Sequence, residues 1–138
     1  MMVKKTLHFP GRYASLQQIG DFYQEAARKA GLNDAAIYAV QLAVDEAATN
    51  IIEHAYGGED RGEIQCNYEI LAEGLKIMMV DHGRSFDPEV IPEPVTDVAL
   101  DQVKPRGLGL FFMRKMMDEV DFQFSPKRGN ILTMFKRK

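Results

Sequence analysis

The sequence contains one cysteine, Cys66, among its 138 residues. A single thiol cannot form a disulfide within the chain, which suits a reducing compartment, and the cytoplasm is the default expectation. No apolar run approaches the roughly 20 residues that span a bilayer, and the N-terminal stretch lacks the apolar core of a signal peptide. These absences argue against a disulfide-stabilised secreted domain, and they predict no association with a membrane.

The chain also lacks an excess of positive charge. Its formal net charge is −3, from 17 Lys and Arg against 20 Asp and Glu. Basic residues group only at Lys4-Lys5 and at residues 136–138, whereas nucleic-acid binders usually concentrate them on one element to neutralise phosphates. We therefore expect no nucleic-acid partner. With 46% hydrophobic and 27% charged residues, positions 1–138 have the composition and length of one soluble domain.

Proline is scarce except in one segment, because four of the six prolines lie within residues 85–105. Such a density of proline forbids a continuous helix or a central strand. A loop of about 20 residues is uncommon in a compact domain and is often a functional lid. The sequence therefore predicts a lid over residues 85–105, next to a ligand site.

Outside this segment the hydrophobic periodicity predicts the element order β-α-α-β-β-loop-α-β-β. The predicted strands are TLHF, EIQCNYEIL, LKIMMV, VDFQFS and NILTMFK. The short AEG turn between the second and third of these favours an antiparallel hairpin. This order predicts an α+β fold, a two-layer sandwich with a mixed, mostly antiparallel sheet and helices on one face.

Capping residues set the expected limits of the helices. Ser15 and Gln18 match a capping box for the first helix, and Gly31 would end it. Asn33 or Asp34 would cap the second helix, which is predicted to run to Gly57-Gly58. The segment GLGLFFMRKMMDEV returns to helical spacing and predicts the third helix.

The second predicted helix carries a polar column of Glu46, Asn50 and His54. Residues four apart stack on one face of a helix, about 6 Å per step. For any one of these side chains a place on the solvated rim is the commoner role. The column, however, borders the apolar arc of the helix instead of opposing it, which predicts that it is half-buried. Half-buried polar groups need partners, and a bound metal or ligand would supply them.

Two glycine clusters flank the predicted lid. Asp81-His82-Gly83 follows a predicted strand, and Gly107-Leu108-Gly109 opens the third helix. Either cluster alone is more often structural than functional. Glycines at the start of a helix nevertheless leave backbone N–H groups free to approach phosphates at the positive end of the helix dipole.

Taken in order, three short motifs resemble the nucleotide-binding boxes of the GHKL superfamily of histidine kinase-like ATPases. Glu46-xxx-Asn50 matches the N box, Asp81-x-Gly83 the G1 box, and Gly107-x-Gly109-Leu110 the G2 box. Within the superfamily, DHGRSFDP and RGLGLFFMRKMMDEV are most similar to the small anti-sigma-factor serine kinases. The resemblance covers the chain from the second helix to the last strand, and it implies the Bergerat-type ATP-binding fold.

The resemblance implies ATP and Mg²⁺ as cofactors and gives the N-box and G1 residues roles. Asn50 would bind Mg²⁺, which needs few protein ligands because phosphates and water complete its shell. Glu46 would be the general base that takes a proton from the attacking hydroxyl group. Asp81 would accept a hydrogen bond from the adenine amino group, while Gly83 would let the backbone approach the base.

The residues of the G2 box would bind the phosphates of ATP. Gly107, Leu108, Gly109 and Leu110 would place the N-terminus of the third helix around them. Arg106 would neutralise charge that develops on the γ-phosphoryl group. His54 would either touch a phosphate or end the polar column, and the second role is slightly favoured.

Two departures from the family pattern leave roles unassigned. Ser85 stands where the G1 box of the wider superfamily often has a second glycine, although the anti-sigma type commonly lacks it too. Gly129-Asn130 stands where family members often have Gly-Thr before the final strand, and Thr133 comes later. We assign no phosphate or base contact to Gly129-Asn130.

The function that the resemblance implies is a cytoplasmic protein serine kinase. It would transfer the ATP γ-phosphate to a serine of an anti-sigma-factor antagonist protein, would also sequester a sigma factor, and would act as a homodimer. The alternative is a non-catalytic, nucleotide-dependent interaction module, which would have no need of the general base Glu46. We do not expect a sensor histidine kinase or a gyrase-like ATPase, because the sequence offers neither a phosphoacceptor hairpin nor a coupled domain. Ile19, Phe22 and Tyr23 of the first helix are one candidate exposed patch for the dimer, and the alternative is that they face the core, which is the commoner place for such side chains.

Overall fold

The structure is a computed structural model that describes residues 3–85 and 105–138, with the backbone alone for 105–108. Nearly all of the predicted lid lies outside the described residues. The elements are β1 (Val3–Pro10), α1 (Ser15–Lys29), α2 (Asp34–Asn50), a π-helical turn (Ile51–Ala55), β2 (Glu63–Leu71), β3 (Gly74–Asp81), α3 (Pro105–Met116), β4 (Glu119–Ser125) and β5 (Gly129–Arg137).

The five strands form one sheet in the order β1-β2-β3-β5-β4, and every neighbouring pair is antiparallel. Alternate residues of the central strands face the helices, so Cys66 of β2, Met79 of β3 and Leu132 of β5 are neighbours in register and all buried. The opposite face carries half-buried Asn67, Met78 and Thr133. Helices on one face of an antiparallel sheet confirm the predicted α+β two-layer fold.

Helix α1 buries its apolar side against the sheet. Ile19, Phe22 and Tyr23 retain 1%, 8% and 0% of their accessible surface. The Tyr23 hydroxyl hydrogen-bonds to the carbonyls of Asn67 and Met78, at 3.1 and 3.2 Å. The predicted exposed patch is therefore wrong, because the three-to-four-residue spacing turns these side chains to the core.

The predicted capping box of α1 is also wrong. Ala14 occupies the cap position without a side-chain hydrogen bond, and the Ser15 hydroxyl instead donates to the carbonyl of Pro10 at 2.7 Å. The Ser15 hydroxyl therefore bonds to the turn after β1 and does not cap the helix. At the C-terminal end of α1, the predicted role of Gly31 is confirmed. Gly31 has φ +79°, and the N–H groups of Gly31 and Leu32 bond back to Arg28 and Ala27, which is a Schellman motif.

Asn33 caps α2 as predicted, since its Oδ1 accepts from the Ala36 N–H at 2.8 Å. Replacing it in Asn33→Ala removes the partner of one N–H at the helix start, and we expect a loss of about 1 kcal/mol in the free energy of unfolding. Asn33→Ser keeps a capping oxygen and is expected to cost much less. Urea unfolding of the three proteins measures both values, and equal stability of wild type and Asn33→Ala would contradict the role of the cap.

The second helix changes its winding after Asn50. Residues 51–55 form one π-helical turn, closed by a hydrogen bond from the Tyr56 N–H to the Ile51 carbonyl at 2.9 Å. Gly57 and Gly58 then end the helix with φ of +73° and +147°. The predicted end is confirmed, but the sequence pattern did not predict the π turn. Such turns are rare and are frequent at functional sites.

Candidate functional site

A cavity of about 280 Å³ lies between α2 with its π turn, α3 and the sheet. Its walls come from α2 and the π turn, α3, and strands β3, β4 and β5. The lining residues are Ala47, Asn50, Ile51, Ala55, Asp81, Leu110, Met113, Phe122, Gln123, Phe124, Asn130, Ile131 and Leu132. An apolar cavity with a few polar side chains at its rim is the usual construction of a small-molecule site.

Glu46 and Asn50 stand one turn apart on α2, and both are half-buried, as the sequence predicts. Within the described residues neither side chain makes a hydrogen bond or an ion pair. Burial raises the pKa of the Glu46 carboxyl group, and the nearby charges of Asp45 and Glu53 raise it further. A carboxylate with a raised pKa and no internal partner is suited to accept a proton.

At Gly109, helix α3 packs directly against Glu46 and Asn50. A Cβ atom added to Gly109 would lie 2.7 Å from Glu46 Oε1 and 3.2 Å from Asn50 Nδ2. A side chain at position 109 would therefore force the end of Glu46 to move. Because α3 begins at Pro105, the approach lies near the positive end of its dipole. Leu110, the next residue, is buried and lines the cavity.

The other polar end of the cavity is Asp81, the last residue of β3, which is only 5% exposed. Its Oδ1 accepts hydrogen bonds from the Gly83 N–H at 2.9 Å and from Asn130 Nδ2 at 2.8 Å. A Cβ at Gly83 would lie 2.4 Å from the Ala55 carbonyl oxygen, and the Arg84 N–H bonds to that oxygen at 2.7 Å. The need for glycine at position 83 therefore comes from contact with the π turn.

The π turn also decides which residue faces the cavity. A π turn holds more residues than an α turn, so it shifts the face by about one position. Ala55 lines the cavity, whereas His54 does not. His54 is half-buried, and its carbonyl accepts from Arg84 Nη2 at 3.4 Å. The contact between His54 and a phosphate thus stays a prediction without structural support.

The remaining predicted residues lie in the first turn of α3. Arg106, Gly107 and Leu108 belong to the helix that begins at Pro105, and their side chains lie outside the described part of the structure. These residues directly precede Gly109 in α3, and Gly109 lies against Glu46. Their roles toward phosphate stay predictions.

Among the lining residues to which sequence reasoning gave no role, Asn130 and Phe124 lie beside Asp81. Asn130 of β5 lies opposite Asp81 of β3, and Phe124 of β4 lies opposite Asn130, so the three form one row across the sheet. Asn130 and Phe124 line the cavity, and Phe124 is 57% exposed at its rim. Strand alternation places Phe124 on the same face as Phe122, but only the pairing register reveals the row.

Tyr56 holds the Asp81 end of the site in place through two hydrogen bonds. Its hydroxyl accepts from the His82 N–H at 3.0 Å and donates to the Glu63 carbonyl at 2.6 Å. Gly62 lies against the Tyr56 ring, where a Cβ would come within 2.4 Å of two ring carbons. The residue after the π turn thus ties the end of β3 to the start of β2.

Within residues 3–85 and 105–138 no group of three or more His, Cys, Asp or Glu side chains is placed to hold a metal ion. The half-buried Asn50 amide, which has no internal partner there, still fits a role as a single protein ligand for a phosphate-bound Mg²⁺. Among the described helices, none has the length and apolar character that a membrane span requires.

Comparison with known proteins identifies the family of the chain. Residues 9–136 match the sequence profile described as histidine kinase-like ATPase domain, so the chain belongs to that family. The predicted family membership is confirmed.

Several similar proteins are named serine-protein kinase RsbW. The one from Listeria monocytogenes serotype 4a (strain HCC23) is 34% identical over 139 residues, which cover 96% of this chain and 87% of the relative. The one from Bacillus velezensis (strain DSM 23117 / BGSC 10A6 / LMG 26770 / FZB42) is 36% identical over 88 residues, which cover 61% of this chain and 55% of the relative. The predicted class of activity agrees with these names.

A crystal structure of the RsbU and RsbW domains of Rv1364c from Mycobacterium tuberculosis has the same fold. It superposes with a TM-score of 0.60 at 14% sequence identity. The alignment covers 96% of this chain and 32% of that chain, so this chain spans about a third of it.

Proposed function

We propose that this protein is an ATP-dependent protein serine kinase of the anti-sigma-factor type. It transfers the γ-phosphate of ATP to a serine of an antagonist protein in the cytoplasm, and it also binds a sigma factor. The observation that carries the proposal is the contact of Gly109 with Glu46 and Asn50, because it joins the N-terminal part of α3 to a potential base and a potential metal ligand. The relatives named serine-protein kinase support the same reading.

In this proposal Glu46 acts on the serine hydroxyl of the antagonist protein. The carboxylate accepts the hydroxyl proton as the oxygen attacks the γ-phosphorus atom, and the bond to the β-phosphate oxygen breaks. Its raised pKa makes it a better proton acceptor than an exposed glutamate. Asp45 and Glu53 add negative charge that supports this basicity.

The phosphates are held by the start of α3. The free backbone N–H groups in the first turn of α3 face them at the positive end of the helix, Gly107 and Gly109 leave room for their approach, and Arg106 supplies a full charge. Asn50 holds Mg²⁺ through its amide oxygen, and the ion when bound neutralises charge on the phosphate oxygens. Asp81 receives the amino group of adenine at the opposite end of the cavity. His54 stays outside this set of contacts.

Nucleotide titration by calorimetry tests the binding part of the proposal. We expect wild type to bind ATP and to bind it more tightly with Mg²⁺. Asn50→Ala is expected to abolish the gain from Mg²⁺ while leaving the affinity for Mg²⁺-free ATP nearly unchanged. Asp81→Asn is expected to weaken ATP about 10- to 100-fold, because it puts an N–H donor in the place of the carboxylate oxygen that would accept from the amino group.

Asp81→Asn is a mild change to the fold, since an asparagine Oδ1 can still accept from Gly83 and Asn130. Failure of the folded wild type to bind ATP would overturn the proposal. Binding without phosphotransfer to any antagonist protein would instead favour the interaction module, in which the nucleotide only controls partner release.

The partners carry less structural support than the nucleotide. The antagonist and the sigma factor are proposed from the resemblance and the names of the relatives, and so is the homodimer. Ile19, Phe22 and Tyr23 are buried and are unavailable as a dimer interface. Size-exclusion chromatography with light scattering measures the oligomeric state directly.

A further inference from the structure

Two exposed apolar side chains lie next to the contact between Gly109 and Glu46. Leu42 precedes Glu46 by one turn of α2 and is 40% exposed, and Phe112 follows Gly109 by one turn of α3 and is 46% exposed. Residues three or four apart on a helix have Cβ atoms about 5 to 6 Å apart. Leu42 and Phe112 therefore lie within one helical turn of the contact, one on each helix.

Both side chains lie on the solvent side of this contact. Glu46 is half-buried and Gly109 is buried, whereas Leu42 and Phe112 are exposed. Glu46 does not line the cavity, although Asn50, one turn later, does. With a nucleotide in the cavity, an acceptor hydroxyl group must therefore reach Glu46 from outside, past Leu42 and Phe112.

The ring of Phe112 is oriented by its neighbours on α3. It packs edge-on against the half-buried Phe111 ring, with 5.9 Å between the ring centroids, and Lys115 Nζ lies 5.3 Å from the centre of the Phe111 ring. A single exposed apolar side chain is ordinary on a protein surface. Two of them beside the same polar contact, one on an oriented aromatic pair, are instead typical of the anchors of a protein interface.

The two helices also carry opposite charges. The 17 residues of α2 include three acidic side chains and no Lys or Arg, whereas α3 includes basic side chains and no Asp or Glu. Asp45 of α2 and Arg114 of α3 are exposed, and neither forms an ion pair within the described part of the chain. Leu42, Asp45, Phe112 and Arg114 together define what we call the outer α2–α3 surface. Its charge changes sign from one helix to the other.

We propose that the outer α2–α3 surface is the docking site of the antagonist protein, with Leu42 and Phe112 as its apolar anchors. This inference rests on the proposed function and names the surface that delivers the serine to Glu46. The partner that fits has an apolar side chain near its acceptor serine. It carries basic groups on the side that faces α2 and acidic groups on the side that faces α3. Complementary charges of this kind orient a partner and speed its association.

The first test is phosphotransfer at varied concentrations of an antagonist protein that wild type phosphorylates. We expect Leu42→Ala and Phe112→Ala each to raise KM for that protein about tenfold, the usual effect of removing an interface anchor. The kcat at saturating antagonist and the calorimetric affinity for ATP should stay unchanged, because both residues act on docking alone. Leu7→Ala is the matched control, since Leu7 is 38% exposed on the edge strand β1, and it should keep the wild-type KM.

The second test reverses one charge of the surface. Arg114→Glu should raise KM for the antagonist about three- to tenfold at low salt, and the effect should shrink as the salt concentration rises. Arg28→Glu makes the same change in the last turn of α1, so both variants lose a similar interaction with a helix dipole. Equal effects of the two substitutions on KM would mean that only the net charge matters, which overturns the orienting role of the surface.

The remaining outcomes decide whether the surface binds the antagonist. A wild-type KM in both Leu42→Ala and Phe112→Ala overturns the inference, and so does a fall in kcat at unchanged KM. Loss of sigma-factor binding or of self-association with an intact KM would give the surface to a different partner, which also overturns it. Thermal unfolding establishes that each variant is folded at the temperature of the assay.

The inference and the proposed function can fail separately. Wild type that binds ATP but phosphorylates no antagonist protein overturns both of them. Normal phosphotransfer by wild type, with no dependence on Leu42 or Phe112, overturns the inference alone.

Discussion

Glu46→Gln is expected to reduce phosphotransfer to the antagonist protein by about 10²- to 10⁴-fold, which is the usual contribution of a general base. ATP affinity should change little, because Glu46 acts on the hydroxyl group and does not line the cavity. Single-turnover phosphotransfer with saturating Mg-ATP measures the rate, and calorimetry measures the affinity. A rate within a few-fold of wild type would exclude Glu46 as the base.

The same substitution should not destabilise the fold. The pKa of Glu46 is raised in the folded state, so between the unfolded and the folded pKa the native protein binds more protons than the unfolded chain. Its contribution to stability therefore falls as pH rises through that window, and above the folded pKa the buried, ionised form lowers the stability of the native state. Glutamine removes the charge, and we expect an unchanged or higher melting temperature at pH 7. A clear loss of stability would mean that the rate loss reports damage to the fold.

Asp45→Asn provides the matched control on the same helix. Asp45 is exposed, and its charge raises the pKa of Glu46. Removing that charge lowers the pKa of Glu46, so the acid limb of the rate–pH profile should move to lower pH. The rate at neutral pH should stay close to that of wild type.

Gly109→Ala is the second substitution with a large expected effect. The new methyl group would lie 2.7 Å from Glu46 Oε1, so the carboxylate must move. Glu46 is long and flexible, and the protein should fold normally. A displaced base is expected to lower the phosphotransfer rate on the order of 10²-fold, since such rates are sensitive to shifts of about 1 Å. The rate is again measured in single turnovers.

Gly20→Ala separates this effect from helix propensity. Gly20 lies inside α1, and a Cβ there would meet no atom within 4 Å. Both substitutions replace glycine by the best helix former, which favours the helix by about 1 kcal/mol. We expect both proteins to be as stable as wild type or more stable, and only Gly109→Ala to lose activity. Equal activity of the two variants would mean that the contact between Gly109 and Glu46 has no catalytic role.

Local chemistry made much of the fold predictable. Strand β2 has the bounds that its alternation predicts, and Asn33 and Gly31 cap the helices that they were expected to cap. These features depend on periodicity and on single residues with strong backbone preferences. Ser15 was predicted wrongly because its hydroxyl could also bond a carbonyl of the preceding strand, and a local motif does not reveal that competitor.

The sequence also predicted some residues of the candidate site and missed others. Glu46 and Asn50 were predictable from helical spacing, and Asp81 from the motif that follows its strand. The sequence did not predict that Ala55 lines the cavity. Its position follows from the π turn, which packs against Gly83 and Arg84. Asn130 was passed over because its type departs from the family pattern and its position opposite Asp81 follows only from strand register.

The sequence by itself determined the element order, the fold class, the family and the residue types that the chemistry needs, since these follow from patterns along the chain. The tertiary structure alone decided that Gly109 touches Glu46 and Asn50, and that Asn130 turns its amide nitrogen to Asp81. These contacts join residues 49 to 63 positions apart. Packing and strand pairing set such distances, and neither is written in the local periodicity of the chain.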